Sequence, residues 1–276
     1  MASATKNRGY HKTYVCYVLG QTAIGNLDLV WPDMDLSGYR LLLVPSTRGL
    51  TTSQWYRLKR FVEEGGTLFV LYDDRRGLNA YLNGLFGFET HSQEKNYGYG
   101  EVYTQSRFGD LTPGTCITVG KGREVLRLNP VRCQTMMTFA DGSPALTACT
   151  VQKGKAWMAC SDFTAGLLMD TPNEDFVRCG VYRLMRAVAM EAGALAPFYA
   201  GNFMVEAGYL DGPSDALLIL INHNIQQEQA DISLPDWAGS VQTLDGTPVE
   251  MEDGRIQVSL PPSEALVLRA LKGARP

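Results

Sequence analysis

Three histidines limit the chemistry open to this chain. His11, His91 and His223 lie far apart in sequence, and none has a partner at a metal-ligand spacing such as H-x-x-x-H. They read as solvated or hydrogen-bonded surface imidazoles. The six cysteines (Cys16, Cys116, Cys133, Cys149, Cys160, Cys179) form no C-x-x-C pair and have no histidine close by in sequence. A chain of 276 residues can bury a core without covalent staples, so free and mostly buried thiols are expected, with no metal and no cofactor.

The carboxylates nearest to a catalytic pattern are Asp73 and Asp74, which follow an apolar run where strand-end ligands sit in open α/β sheets. Adjacent residues on an extended chain point to opposite sides, and Arg75 and Arg76 stand ready to neutralise them, so the two make a poor acid/base couple. They are candidates for substrate contact only. Ser46 ends another apolar run, but the G-x-S-x-G elbow is absent and no Asp-His sequel follows. The glycines of Gly120-Lys121-Gly122 and Lys153-Gly154-Lys155 lack the spacing and following helix of a phosphate loop, and hairpin turns explain both. No catalytic residue is assigned.

Aromatic residues offer more. Tyr97, Tyr99 and Tyr103, with Phe108, flank glycines between residues 96 and 109. Such side chains bring large area at low entropic cost, so they suit either a sugar ring or an interface, and packing onto their own domain is the alternative.

These residues need a frame. Residues 40–46 (RLLLVPS) and 67–72 (TLFVLY) are continuous apolar runs, the signature of strands covered on both faces. Between them, Thr51 and Gln54 have capping-box spacing, and Trp55, Leu58, Phe61 and Val62 recur at helical intervals before Gly65-Gly66. The result is a βαβ unit with a right-handed crossover. Upstream, residues 10–24 read as a helix, with a strand over residues 13–19 as the alternative, and residues 26–31 (NLDLVW) read as a short strand. Residues 78–85 suggest a short helix. From 101 to 160, short β-branched segments separated by Gly, Pro and Asp predict an antiparallel insertion or sheet extension. A long helix is expected from Asn173, with Val177, Val181, Leu184, Met185 and Val188 on one face and Gly193 as its stop.

After a linker at residues 195–197 the pattern is all β, with Asp245-Gly246 and Asp253-Gly254 as hairpin turns. The expected fold is therefore an α/β, flavodoxin-like doubly wound sheet with a β-rich extension over residues 1–194, then a small all-β sandwich over residues 198–272. Because such a sheet normally starts with a central strand, a helix at residues 10–24 with no apolar run before it predicts an unpaired edge.

Composition narrows the partners. The formal charge is −4, with 25 basic and 29 acidic residues and no basic tract, which excludes a nucleic-acid footprint. No run approaches the roughly 20 apolar residues of a membrane span, and the first residues lack a signal peptide's apolar stretch, so a cytoplasmic protein is expected.

Residues 27–32 (LDLVWP), 35–45 (DLSGYRLLLVP), 61–68 (FVEEGGTL) and 142–146 (GSPAL), the last followed by the K-G-K hairpin, resemble the trimerisation domain of glycoside hydrolase family 42 β-galactosidases. Residues 244–249 (LDGTPV) and 261–268 (PPSEALVL) are similar to that family's small terminal β domain. The resemblance spans roughly residues 10–271. It implies an amidotransferase-like domain without an active site, self-association as a homotrimer, and a cleft shared with a catalytic barrel that has no counterpart among these residues. The expected function is thus a non-catalytic accessory and assembly region, partnered by itself and by a separate glycosidase barrel chain. A carbohydrate-binding module and a stand-alone amidotransferase-like hydrolase are the alternatives.

Overall fold

The structure is a computed structural model that describes residues 8–47, 50–72, 84–95, 100–120, 124–167 and 178–273. The residues form two compact units, one of Met1–Leu19 with Leu29–Ala194, the other of Gly20–Asp28 with Leu195–Pro276.

Helix α1 (Arg8–Ile24), which belongs to the first unit as far as Leu19, is the helix expected at residues 10–24, which removes the strand alternative. It buries Val15, Cys16 and Leu19, and Lys12 pairs with Asp162 at 2.6 Å. The run RLLLVPS yields β1 (Leu41–Val44), and α2 (Thr52–Glu63) follows. Both halves of the capping box form: Thr51 Oγ1 accepts from the Gln54 N–H, and the Gln54 side chain accepts from the Thr51 N–H. Trp55, Leu58, Phe61 and Val62 all face the core. The chain leaves the helix through Gly65, at φ +120°, into β2 (Thr67–Leu71), which is buried along its whole length and pairs in parallel with β1.

The remaining strands of this unit are β3 (Phe88–Lys95), β4 (Glu101–Thr104), β5 (Cys116–Thr118), β6 (Glu124–Pro130), β7 (Gln134–Phe139), β8 (Pro144–Val151) and β9 (Gly154–Ala159). The main sheet has the order β1-β2-β9-β8-β7-β4-β5, while β3 and β6 pair separately. β9 pairs in parallel with β2 and antiparallel with β8, and every pairing beyond β8 is antiparallel. The antiparallel extension is therefore present, with one correction: the segment ending in Cys160 belongs to the parallel core. A second correction concerns residues 26–31, which form no strand: a strand exists only through a hydrogen-bonded neighbour, and none lies alongside among the described residues. Helix α3 (Val181–Glu191) buries Val181, Leu184, Met185 and Val188, and stops before Gly193 at φ +60°. Its expected start at Asn173, and residues 78–83 of the expected short helix, lie outside the described residues.

The second unit contains β10 (Val205–Asp211), β11 (Asp215–Asn222), β12 (Glu228–Ser233), β13 (Ala238–Thr243), β14 (Pro248–Val249), β15 (Arg255–Leu260) and β16 (Ala265–Lys272). They make a five-stranded sheet, β10-β11-β16-β13-β14, and a two-stranded one, β12-β15, around Leu218, Leu220, Ile232, Ile256 and Leu268. Asp253 and Gly254 both have positive φ, as the D-G hairpin turn requires. Buried Asn222 places its Nδ2 within 2.8–3.1 Å of the carbonyls of Gln226, Leu260 and Pro261, tying two loops to the end of β11. No described helix is long and apolar enough to cross a membrane.

Gly154 shows how tightly the first unit is closed. A Cβ there would run into the carbonyl oxygens of Val62 and Gly66, at the corner between α2 and β2. Gly154→Ala should therefore cost about 1–3 kcal/mol in urea unfolding. Gly38→Ala, where a Cβ meets nothing, should stay within about 0.5 kcal/mol of the parent.

Candidate functional site

Alternation along β4 buries Val102 and Thr104 and leaves Glu101 and Tyr103 on the other face, Glu101 exposed and Tyr103 half-buried. The Tyr103 hydroxyl donates to Glu101 Oε2 at 2.7 Å, and that bond, reinforced by the carboxylate's charge, pushes the phenol pKa up to about 12. Tyr103 lies opposite Cys116 on one side and Thr138 on the other. Of the five substrate or interface candidates it is the one among the described residues: Asp73, Asp74, Tyr97 and Tyr99 lie outside them. Phe108, named beside the tyrosines, packs inward against Trp157, ring centroids 5.3 Å apart, which is the packing alternative.

A groove of about 320 Å³ opens beside that aromatic pair. The segment after β4 brings Arg107 and Phe108, the start of β7 brings Gln134, and Arg132 stands just before it. From β9 come Lys155 and Trp157, and from the last residue of α3 comes Glu191. Glu191 is fully engaged. Its Oε1 accepts from the Gly109 N–H at 3.1 Å and its Oε2 pairs with Lys155 Nζ at 3.0 Å. The Gly109 bond, then Lys155, holds its carboxyl below the usual carboxylate range, so it stays ionised at neutral pH. Arg132 donates to the Gly84 carbonyl at 2.8 Å, and the buried Trp157 Nε1 finds no acceptor among the described residues.

This arrangement can attract negative charge and donate hydrogen bonds, and its described residues form no acid/base couple. Among the described residues the groove has three cationic side chains and one carboxylate, and that carboxylate is committed to a lysine. A retaining glycosidase needs two carboxyl groups about 5 Å apart with their pKa values driven in opposite directions. No set of three or more His, Cys, Asp or Glu among the described residues could hold a metal. Ser46, half-buried at the end of β1, is simply a strand-end residue. Lys153 belongs to the two-residue turn Gln152-Lys153 between β8 and β9, while Gly154 and Lys155 begin β9, so the K-G-K run is part of a hairpin rather than a phosphate loop.

Sequence reasoning missed the groove, because Arg107, Arg132, Lys155 and Glu191 come from separate segments with no common spacing. The cysteines match their expectation: all six are free, with Cys16, Cys149, Cys160 and Cys179 buried. Burial raises the thiol pKa of each of these four, which suits packing rather than nucleophilic work. His223 bonds Glu206 at 2.8 Å on the surface of the second unit.

Tyr103→Phe tests the geometry on β4. A raised pKa means that the folded state holds the phenol proton more tightly, so the stabilisation is present below the ordinary phenol value of 10 and lost as pH rises towards about 12. Parent and variant should differ in thermal stability at pH 8 and converge across that window.

No family model and no curated protein matches the sequence. Solved structures do. A β-galactosidase from Bacillus circulans sp. alkalophilus superposes on 94% of this chain with a TM-score of 0.67 at 17% identity. Gan42B, a GH42 β-galactosidase, superposes on 99% with a TM-score of 0.66 at 18% identity, and an α-L-fucosidase isoenzyme from Paenibacillus thiaminolyticus on 95% with 0.63 at 12%. The chain spans 37%, 38% and 44% of the length of those three proteins. At these identities the likeness establishes the fold: the chain is built like part of a GH42 β-galactosidase.

Proposed function

We propose that this chain is a non-catalytic assembly and accessory region of a β-galactosidase-like glycoside hydrolase. The observation that carries the reading is extent: nearly the whole chain matches little more than a third of each β-galactosidase. In this reading residues 1–194 form an amidotransferase-like, flavodoxin-like domain of trimerisation type, of which β1, β2 and β9 are the parallel core, and residues 198–272 form the terminal β domain. The region self-associates, a homotrimer being the form suggested by the resemblance, and helps wall the cleft of a catalytic barrel carried by other residues or by a separate chain.

The groove chemistry agrees, since its one carboxylate among the described residues is neutralised in place. Within the groove Trp157 and Phe108 are each 1% exposed and offer no open ring face to a sugar; Tyr97 and Tyr99, on which the carbohydrate-binding alternative rests, lie outside the described residues.

A chromogenic β-galactoside assayed at high protein concentration should show no turnover. Turnover that survives purification and vanishes when an acidic residue of this chain is replaced would overturn the accessory reading.

A further inference from the structure

A dip in the sheet sets the shape of the groove. Across three strands, Gln134 on β7 stands opposite Ala148 on β8, which stands opposite Trp157 on β9. Opposed residues share a sheet face, so this row falls from a glutamine to a methyl group and rises again to an indole. All three line the groove, and so do Thr150 and Lys155, the next opposed pair on that face.

The rim is charged one way. Arg107 is exposed and makes no hydrogen bond or ion pair among the described residues. Arg132 spends one nitrogen on the Gly84 carbonyl and keeps its other donors. Lys155 is offset by Glu191, so three cations and one carboxylate leave the groove a net charge of +2 among the described residues. Neutral groups lean the same way. Trp157 is 1% exposed and its Nε1–H has no acceptor among the described residues, which leaves the positive end of that dipole uncompensated. Gln134 gives one Nε2 proton to Ser106 Oγ at 2.9 Å and keeps the second. Like charges gathered beside buried apolar rings are screened less than in open water, and a bound counter-ion relieves their repulsion.

A groove of about 320 Å³ takes a small molecule, and its charge selects which. One carboxylate would neutralise half of the excess. A phosphate monoester near neutral pH carries close to two negative charges, and its tetrahedral oxygens accept from donors on several sides, as cations from three separate segments require. We propose that this groove binds the phosphate group of a small phosphorylated molecule, held by Arg107, Arg132 and Lys155. The site goes beyond the accessory reading and stands or falls apart from it.

Titration calorimetry and tryptophan fluorescence on the full chain at low salt test this with glycerol 2-phosphate, inorganic phosphate and succinate. Both phosphates should bind one to one and shift the emission, because Lys155 lies 5.8 Å above the Trp157 ring. Succinate, whose two charges sit on separate groups, should not. Arg107→Gln, at an exposed residue without a described partner, should weaken both phosphates about tenfold with urea unfolding unchanged. Ala148→Leu fills the dip without altering charge and should abolish binding; if it does not fold, Arg107→Gln decides. Lowering the pH from 7.5 to 5 should weaken glycerol 2-phosphate about tenfold, since a phosphate ester's second ionisation lies near pH 6 while Glu191, held below the usual carboxylate range, stays charged. Phosphate binding undiminished in Arg107→Gln overturns the site, and so does succinate binding as well as phosphate. Binding of inorganic phosphate alone overturns the esterified ligand. A parent that gives neither heat nor emission change with any probe overturns the proposal outright.

Discussion

The first unit depends on the two-sided pairing of β9. One edge of this strand bonds in parallel to β2, the other antiparallel to β8, so it is the seam between a three-stranded parallel core and an antiparallel extension. The seam closes only because residue 154 is glycine: the corner of α2 and β2 approaches until no side chain fits, and the Lys155 N–H reaches the Gly66 carbonyl at 3.2 Å. A glycine that looks in sequence like part of a phosphate loop is thus a packing device. It lets main chain meet main chain, where hydrogen bonds and close contact reinforce each other.

The groove inherits its character from the same strand. Alternation along β9 puts Lys155 and Trp157 on one face, and each takes a partner: Glu191 for the lysine, Phe108 for the indole, with the lysine 5.8 Å above the Trp157 ring. Glu191 also holds the Gly109 N–H, and so fastens the turn after β4 to the end of α3. A carboxylate fixed by a backbone N–H and a lysine contributes to architecture and is lost to proton transfer, since both partners favour its ionised form. Among the described residues, then, the groove's carboxylate serves structure.

The second unit is organised differently. Its strands alternate cleanly, as in β15, where Ile256, Val258 and Leu260 point inward and Arg255, Gln257 and Ser259 outward. Two sheets with one apolar face each need nothing more than that pattern and correct turns. Buried Asn222 adds a polar staple where β11 runs into loops, its Nδ2 reaching the carbonyls of Gln226, Leu260 and Pro261.

What the sequence determined alone is everything local. The Thr51–Gln54 capping box, the helical spacing of Trp55, Leu58, Phe61 and Val62, the fully apolar β2 and the D-G turns each encode their structure within a few residues, and all form where the pattern puts them. Tertiary structure decided whatever depends on a neighbour distant in sequence. Residues 26–31 have strand-like composition but no strand, because no strand among the described residues runs alongside them. The segment ending in Cys160 has the composition of its antiparallel neighbours, yet joins the parallel core because β2 offers a free edge. The groove joins Arg107, Arg132, Lys155 and Glu191 across eighty-odd residues, a grouping no spacing rule reaches. Propensity and periodicity are short-range properties, whereas strand pairing and charge clustering are fixed by which surfaces the folded backbone brings together.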